Sequence, residues 1–101
     1  MARTALKLYG GTPSTSSATL FTSPANTKTM VKCVVIGNTT STARTVTLGF
    51  AGVNLVNSYS VDPNDTAIID LSLVLEASET ITGLQGTANA LNVHISGWEE
   101  S

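Results

Sequence analysis

Arg44-Thr45-Val46-Thr47-Leu48-Gly49-Phe50 puts Val46, Leu48 and Phe50 on one parity and Thr45, Thr47 and Gly49 on the other. A strict period of two is the signature of a strand with one face in a core and the other in water. Upstream, residues 30–36 (Met-Val-Lys-Cys-Val-Val-Ile) are apolar on both parities except at Lys32, as expected of a central strand. The intervening residues 37–43 are Gly, Asn, Thr, Ser and Ala, so the two runs read as a β-hairpin.

Working outward, the same punctuation recurs every eight to twelve residues, the spacing of a sandwich or barrel. Ala51-Gly52 turns the chain into a less regular run ending at Tyr59, and Asp62-Pro63-Asn64-Asp65 is a turn by composition. Ile69, Leu71, Leu73 and Leu75 then alternate with Asp70, Ser72 and Val74. After turns at 76–79 and 86–89, Leu91, Val93 and Ile95 face inward while Asn92, His94 and Ser96 face outward. The expected fold is all-β, a single-domain antiparallel β-sandwich of eight to nine strands, with the choice between Ig-like and jelly-roll-like strand order left open. Residues 1–17 read as an N-terminal arm and flexible link built on Gly10-Gly11 and small hydroxyl residues, and residues 18–101 as the sandwich.

Composition agrees. The 101 residues include sixteen Thr and eleven Ser, while charged residues are only 12%, about half the usual quarter. Helix formers are scarce and β-favouring types abundant, which excludes helical bundles, coiled coils and charged disordered tails. All five basic residues lie in the first 44 positions and all seven acids from position 62 onward. Cross-strand pairing within one sandwich would cancel much of this asymmetry; a protomer with one basic and one acidic flank would instead suit docking against copies of itself. Five dispersed cations make no phosphate-tracking stripe, so nucleic acid is not an expected partner. Nor is a membrane, since the longest aliphatic run is four residues. No apolar h-region opens the chain, and synthesis in a cytoplasm is expected.

No constellation carries chemistry. His94 is the one histidine, on an outward parity, and no Gly-x-Ser-x-Gly elbow accompanies it. Cys33 is alone, so no intrachain disulfide is possible, and within an aliphatic run it reads as a small buried hydrophobe. One Cys and one His do not make a zinc site, and residues 62–65 lack the framework of a calcium loop. No enzyme activity, cofactor or metal is expected. The two Asn-x-Thr triplets, at Asn38 and Asn64, are of a kind that arises by chance in a Thr-rich chain. Phe21 and Phe50 read as core, whereas Tyr9, Tyr59 and Trp98 read as interface anchors or, less well given their spacing, as sugar-stacking platforms. With Arg3, Lys7 and His94 they form the set of candidate interface residues. Residues 1–9 are expected to add a strand to a neighbouring subunit or to the surface of a partner, the alternative being an arm folded back on its own sandwich.

The order of short motifs carries a resemblance. Leu20-Phe21-Thr22-Ser23-Pro24-Ala25-Asn26-Thr27 is followed by Val31 to Thr39 (VKCVVIGNT), Arg44-Thr45-Val46-Thr47-Leu48, Leu71 to Ala77 (LSLVLEA) and Asn92-Val93-His94-Ile95-Ser96-Gly97. Over residues 18–100 this resembles the small β-sandwich virion proteins of tailed bacteriophages, with patterns such as L-[YF]-T-x-P-A-N-T and V-x-[IV]-S-G-x-E in that order. The chain departs from the pattern at Ala77-Ser78, where a Gly turn is more usual. The resemblance implies a structural role in the particle and brings no catalytic residues. The implied function is capsid decoration, cementing the head by contacts with the major capsid protein and with copies of itself, a trimer ahead of a dimer. The alternative is a tail or tail-fibre component that touches host-surface glycans.

Overall fold

The computed structural model describes residues 3–100, with side chains from Lys7 onward. It contains eight strands: β1 (Arg3–Gly11), β2 (Ala18–Thr22), β3 (Lys28–Asn38), β4 (Arg44–Phe50), β5 (Val53–Val61), β6 (Thr66–Leu75), β7 (Thr80–Gln85) and β8 (Leu91–Glu100). They form two four-stranded sheets, one in the order β1-β8-β3-β6 and the other β2-β7-β4-β5. The pairs β1·β8, β2·β7, β3·β6 and β4·β5 are all antiparallel. Each pairing joins strands equally distant from the middle of the chain, so the whole polypeptide is one long two-stranded ribbon. Two further ladders, β3·β8 and β4·β7, roll that ribbon into a sandwich. This is the jelly-roll order, and it settles the alternative that the sequence left open.

The tip of the ribbon is the β4–β5 turn. Ala51 and Gly52 both have positive φ, 54° and 84°, the two-residue hairpin geometry whose twist matches that of the flanking strands. Gly52 meets this requirement freely, whereas Ala51 adopts it against its Cβ.

Fifteen apolar side chains among the described residues are buried, among them Val31, Val34 and Ile36 of β3, Val46, Leu48 and Phe50 of β4, and Leu91, Val93 and Ile95 of β8. In β8 the buried Leu91, Val93 and Ile95 alternate with the exposed Asn92 and His94, and in β3 and β4 with residues turned to the outer faces of the sheets, as the pleat requires. Phe50 is core as expected, but Phe21 and Leu20 on the short edge strand β2 are only partly buried. Cys33 is half-buried on the outer side of β3 rather than in the core, because the register slips at Lys32 and places Cys33 opposite Ser96 and Asp70.

Two expectations meet a different arrangement. β3 and β4 are not a hairpin: they lie in opposite sheets, and the loop between them crosses the sandwich. Asn38 holds that crossing. Its buried amide nitrogen donates to the carbonyls of Thr42 (2.9 Å), Val61 (3.0 Å) and Asp62 (3.2 Å), and its Oδ1 accepts from the backbone N–H (2.9 Å) and hydroxyl (2.7 Å) of Thr40. Alternation predicts each strand, but a side-chain clasp to a residue 23 positions away decides which sheet the next strand joins. The same burial removes Asn38 as a glycan acceptor.

The segment set apart in the sequence as an arm supplies β1, an edge strand paired along β8 from Arg3↔Glu100 to Gly11↔Val93. Met1 and Ala2 lie outside the described residues. The link that follows is anchored: Gln85, fully buried, donates through its side-chain amide to the Pro13 carbonyl and accepts from the N–H groups of Ala90 (3.2 Å) and Leu91 (2.8 Å). Its backbone N–H also donates to Ser14 O at 3.0 Å. Small hydroxyl residues read as flexible in isolation, but a buried amide with no water to turn to holds them in place.

Along β8, both neighbouring strands bulge, β1 after Lys7 and β3 after Val31. Beside the second bulge an ideal Cβ on Gly97 would sit 1.8 Å from the Met30 carbonyl oxygen, so no side chain fits there. Gly97→Ala is therefore expected to destabilise the fold by at least about 3 kcal/mol in urea denaturation, since backbone rather than a movable side chain must yield. Ala51→Asn, which creates the favoured Asn-Gly tip, is expected to raise stability by about 0.5–1 kcal/mol in the same assay.

Candidate interaction surfaces

The outward faces of the strands, not a cleft, hold the side chains of interest. On the first sheet, registers align residues into rows running β1, β8, β3, β6. Lys7, Ser96, Cys33 and Asp70 share one row, and Gly10, His94, Val35 and Ile68 share the next. On the other side, Ala5, Trp98, Met30 and Val74 share a row. The aliphatic stem of Lys7 lies across Gly10, its Cδ 3.2 Å from where a Cβ would stand. Where glycines leave the surface low, a shallow trough of about 390 Å³ opens among Gly10, Gly37, Thr66, Asn92, His94 and Val35. Its rim is fixed by Thr12, whose hydroxyl donates to Asn92 Oδ1 at 2.8 Å.

The second surface is one long side of the roll, where β5 and β6 are the edge strands. Val53 and Tyr59 sit opposite the buried Phe50 and Val46, on the inward parity, yet they are 56% and 43% exposed. Leu55 between them is 53% exposed. On β6 the inward residues Ile69, Leu71 and Leu73 pack against the core while remaining only partly buried. The sandwich is thus open along this side: positions patterned for a core stand partly in water.

The candidate residues fall as follows. His94 is exposed on the outer face of the first sheet, and Trp98 is half-buried two rows away on the same face. Lys7 is exposed there too, at the β1 edge. Tyr9 turns inward at the β1 bulge, pairs opposite Ile95 and packs against the core. Tyr59 is on the other sheet, at the open side. Arg3 begins β1, and its side chain lies outside the described residues. The structure therefore gathers Lys7, His94 and Trp98 on one face and separates them from Tyr59. Val53, Leu55, Ile68 and Val74 were not among the expected surface residues, although apolar residues on both parities of residues 67–75 were the signal for a strand with apolar side chains on both faces.

Among the described residues, no group of three or more His, Cys, Asp or Glu stands together as a metal site would require. Comparison with protein-family models and with curated proteins returns no match for this chain.

Leu55→Ser and Tyr59→Ser are expected to change unfolding free energy by no more than about 0.5 kcal/mol each, since these side chains are largely in water. Leu48→Ala, fully buried on the neighbouring strand, is expected to cost about 2–5 kcal/mol in the same denaturant titration.

Proposed function

We propose that this chain is a bacteriophage virion structural protein that decorates and stabilises the capsid by protein–protein contacts. The observation that carries the reading is the open β5–β6 side. Apolar side chains on inward parity that stay exposed are the mark of a surface completed by another protein, because isolated domains keep such patches small. We assign this side to the capsid. The order of motifs along residues 18–100 supplies the virion context. Fold-level analogy is compatible with it, since jelly rolls serve as viral coat domains, but they also serve as lectins and so do not decide between proteins and glycans.

A surface poor in charge and rich in hydroxyls suits dense packing on a particle, where Thr and Ser pair with whatever the neighbour presents. Most of the binding energy would come from Tyr59 and Leu55 seated in pockets of the partner, with the hydroxyl rim excluding water. The tail-fibre alternative would use exposed rings as sugar platforms. Tyr59 is the one aromatic of the second sheet exposed by more than a third among the described residues.

The test is binding of the purified protein to native particles stripped of it, followed by imaging with the protein labelled. Head labelling is expected, with a loss of about tenfold or more in affinity for Tyr59→Ser combined with Leu55→Ser. Label confined to the tail, or binding to host glycans with none to heads, would overturn the assignment.

A further inference from the structure

Apart from Lys28 at its start and the exposed Lys32 at its bulge, β3 is apolar on both faces, and only one face is covered by the second sheet. Its outward side chains Met30, Cys33 and Val35 are half-buried. They are flanked by Trp98 and His94 on β8 and by Val74 (46% exposed) and Ile68 (67% exposed) on β6. A solvent-facing strand would carry polar residues here. We propose that this outer face is a self-association surface, on which a second copy packs face to face about a two-fold axis running along the strands, midway between β8 and β3.

The choice of occupant rests on the arrangement of charge. Lys7 and Asp70 stand in the same row at opposite edges of the sheet, three inter-strand steps or roughly 14 Å apart, too far to pair within one copy. A two-fold axis along the strands exchanges β1 with β6 and β8 with β3. Lys7 of one copy then lies over Asp70 of the other, and the second Asp70 over the first Lys7, the reciprocity that an isologous interface requires. The same operation sets Lys28 over Glu100, which also share a row. It stacks Trp98 on Met30, a favourable sulfur–aromatic contact. Ile68, the most exposed large apolar side chain among the described residues, comes down on Gly10, above whose backbone lies the methylene stem of Lys7.

The perpendicular two-fold, across the strands through that row, would instead set Lys7 on Lys7 and Asp70 on Asp70, which like-charge repulsion disfavours. Extent fits as well. Four strands about 4.8 Å apart and ten residues long at about 3.3 Å each present roughly 600 Å² per copy, hence about 1,200 Å² in all, the lower end of stable interfaces. A concentration-dependent dimer follows, in place of the trimer that the phage resemblance implies. The inference concerns the isolated protein and does not rest on the capsid assignment, which uses the open β5–β6 side and its residues Leu55 and Tyr59.

Sedimentation of the full chain over a concentration series tests it. The mass is expected to rise from 10.4 kDa toward twice that value at high concentration. Lys7→Glu and Asp70→Lys, both at exposed positions, should each weaken dimerisation about tenfold or more while leaving the thermal unfolding of the dilute monomer unchanged. The double variant, with the charges exchanged, should recover most of the loss. A monomer at all concentrations, a trimer, single variants that dimerise normally, or a double variant no better than the singles would each overturn the proposal.

Discussion

The fold depends on the β3–β8 ladder. It runs from Lys28↔Glu100 to Asn38↔Leu91, broken only by the bulge at Lys32, is the longest among the described residues, and joins residues more than fifty positions apart. Without it and the shorter β4·β7 ladder the chain is a two-stranded ribbon with no buried face, and isolated hairpins are at best marginal in water. Once β8 is seated against β3, β1 can add to the outer edge of β8 and the inward rows of both strands close over β4 and β7. The ladder is also where the chain is least tolerant: neighbours on both sides of β8 bulge, and Gly97 lets the β3 backbone approach closer than any side chain would allow.

Three buried polar clasps then choose among ways of rolling the ribbon. Asn38 ties the β3–β4 crossing to the end of β5. Gln85 ties the β1–β2 link to the start of β8. Ser23 shares a 2.9 Å hydrogen bond with the Thr29 hydroxyl, while its backbone is bonded at 2.8 Å and 2.9 Å to the turn that ends β6. Apolar burial is indifferent to which strand lies next to which, since Val, Leu and Ile fill either arrangement. A buried amide is not indifferent, because each unpaired group would cost on the order of 1–3 kcal/mol. Hydrogen-bonding side chains therefore supply topological specificity that hydrophobic patterning lacks.

The surfaces left over follow from the same economy of strands. A jelly roll of eight short strands has two sheet faces turned outward and open sides where edge strands meet. Here the outer face of the second sheet carries Thr45, Thr47, Gly49 and the half-buried Leu84, while that of the first carries Trp98, Met30, Val35 and Ile68. The two outer faces differ, and the exposed Val53, Leu55 and Tyr59 add apolar surface along the β5 edge; on these observations the proposed contacts rest.

Class and strand positions were legible in the sequence because the pleat imposes a period of two, which Val46-Leu48-Phe50 and Leu91-Val93-Ile95 display without interruption. The outward position of His94 came from the same parity. Sheet membership was not legible: the loops after β3 and β4 both look like hairpin turns, and only the second is one. Nor could the sequence show that residues 3–11 belong to the sandwich, because the partner that holds them, β8, is at the far end of the chain. The candidate surfaces divide in the same way. Apolar residues on both parities of β3 and β6 are visible in the sequence, but which face the protein itself covers, and which stays turned outward, is decided by long-range pairing that local periodicity does not encode.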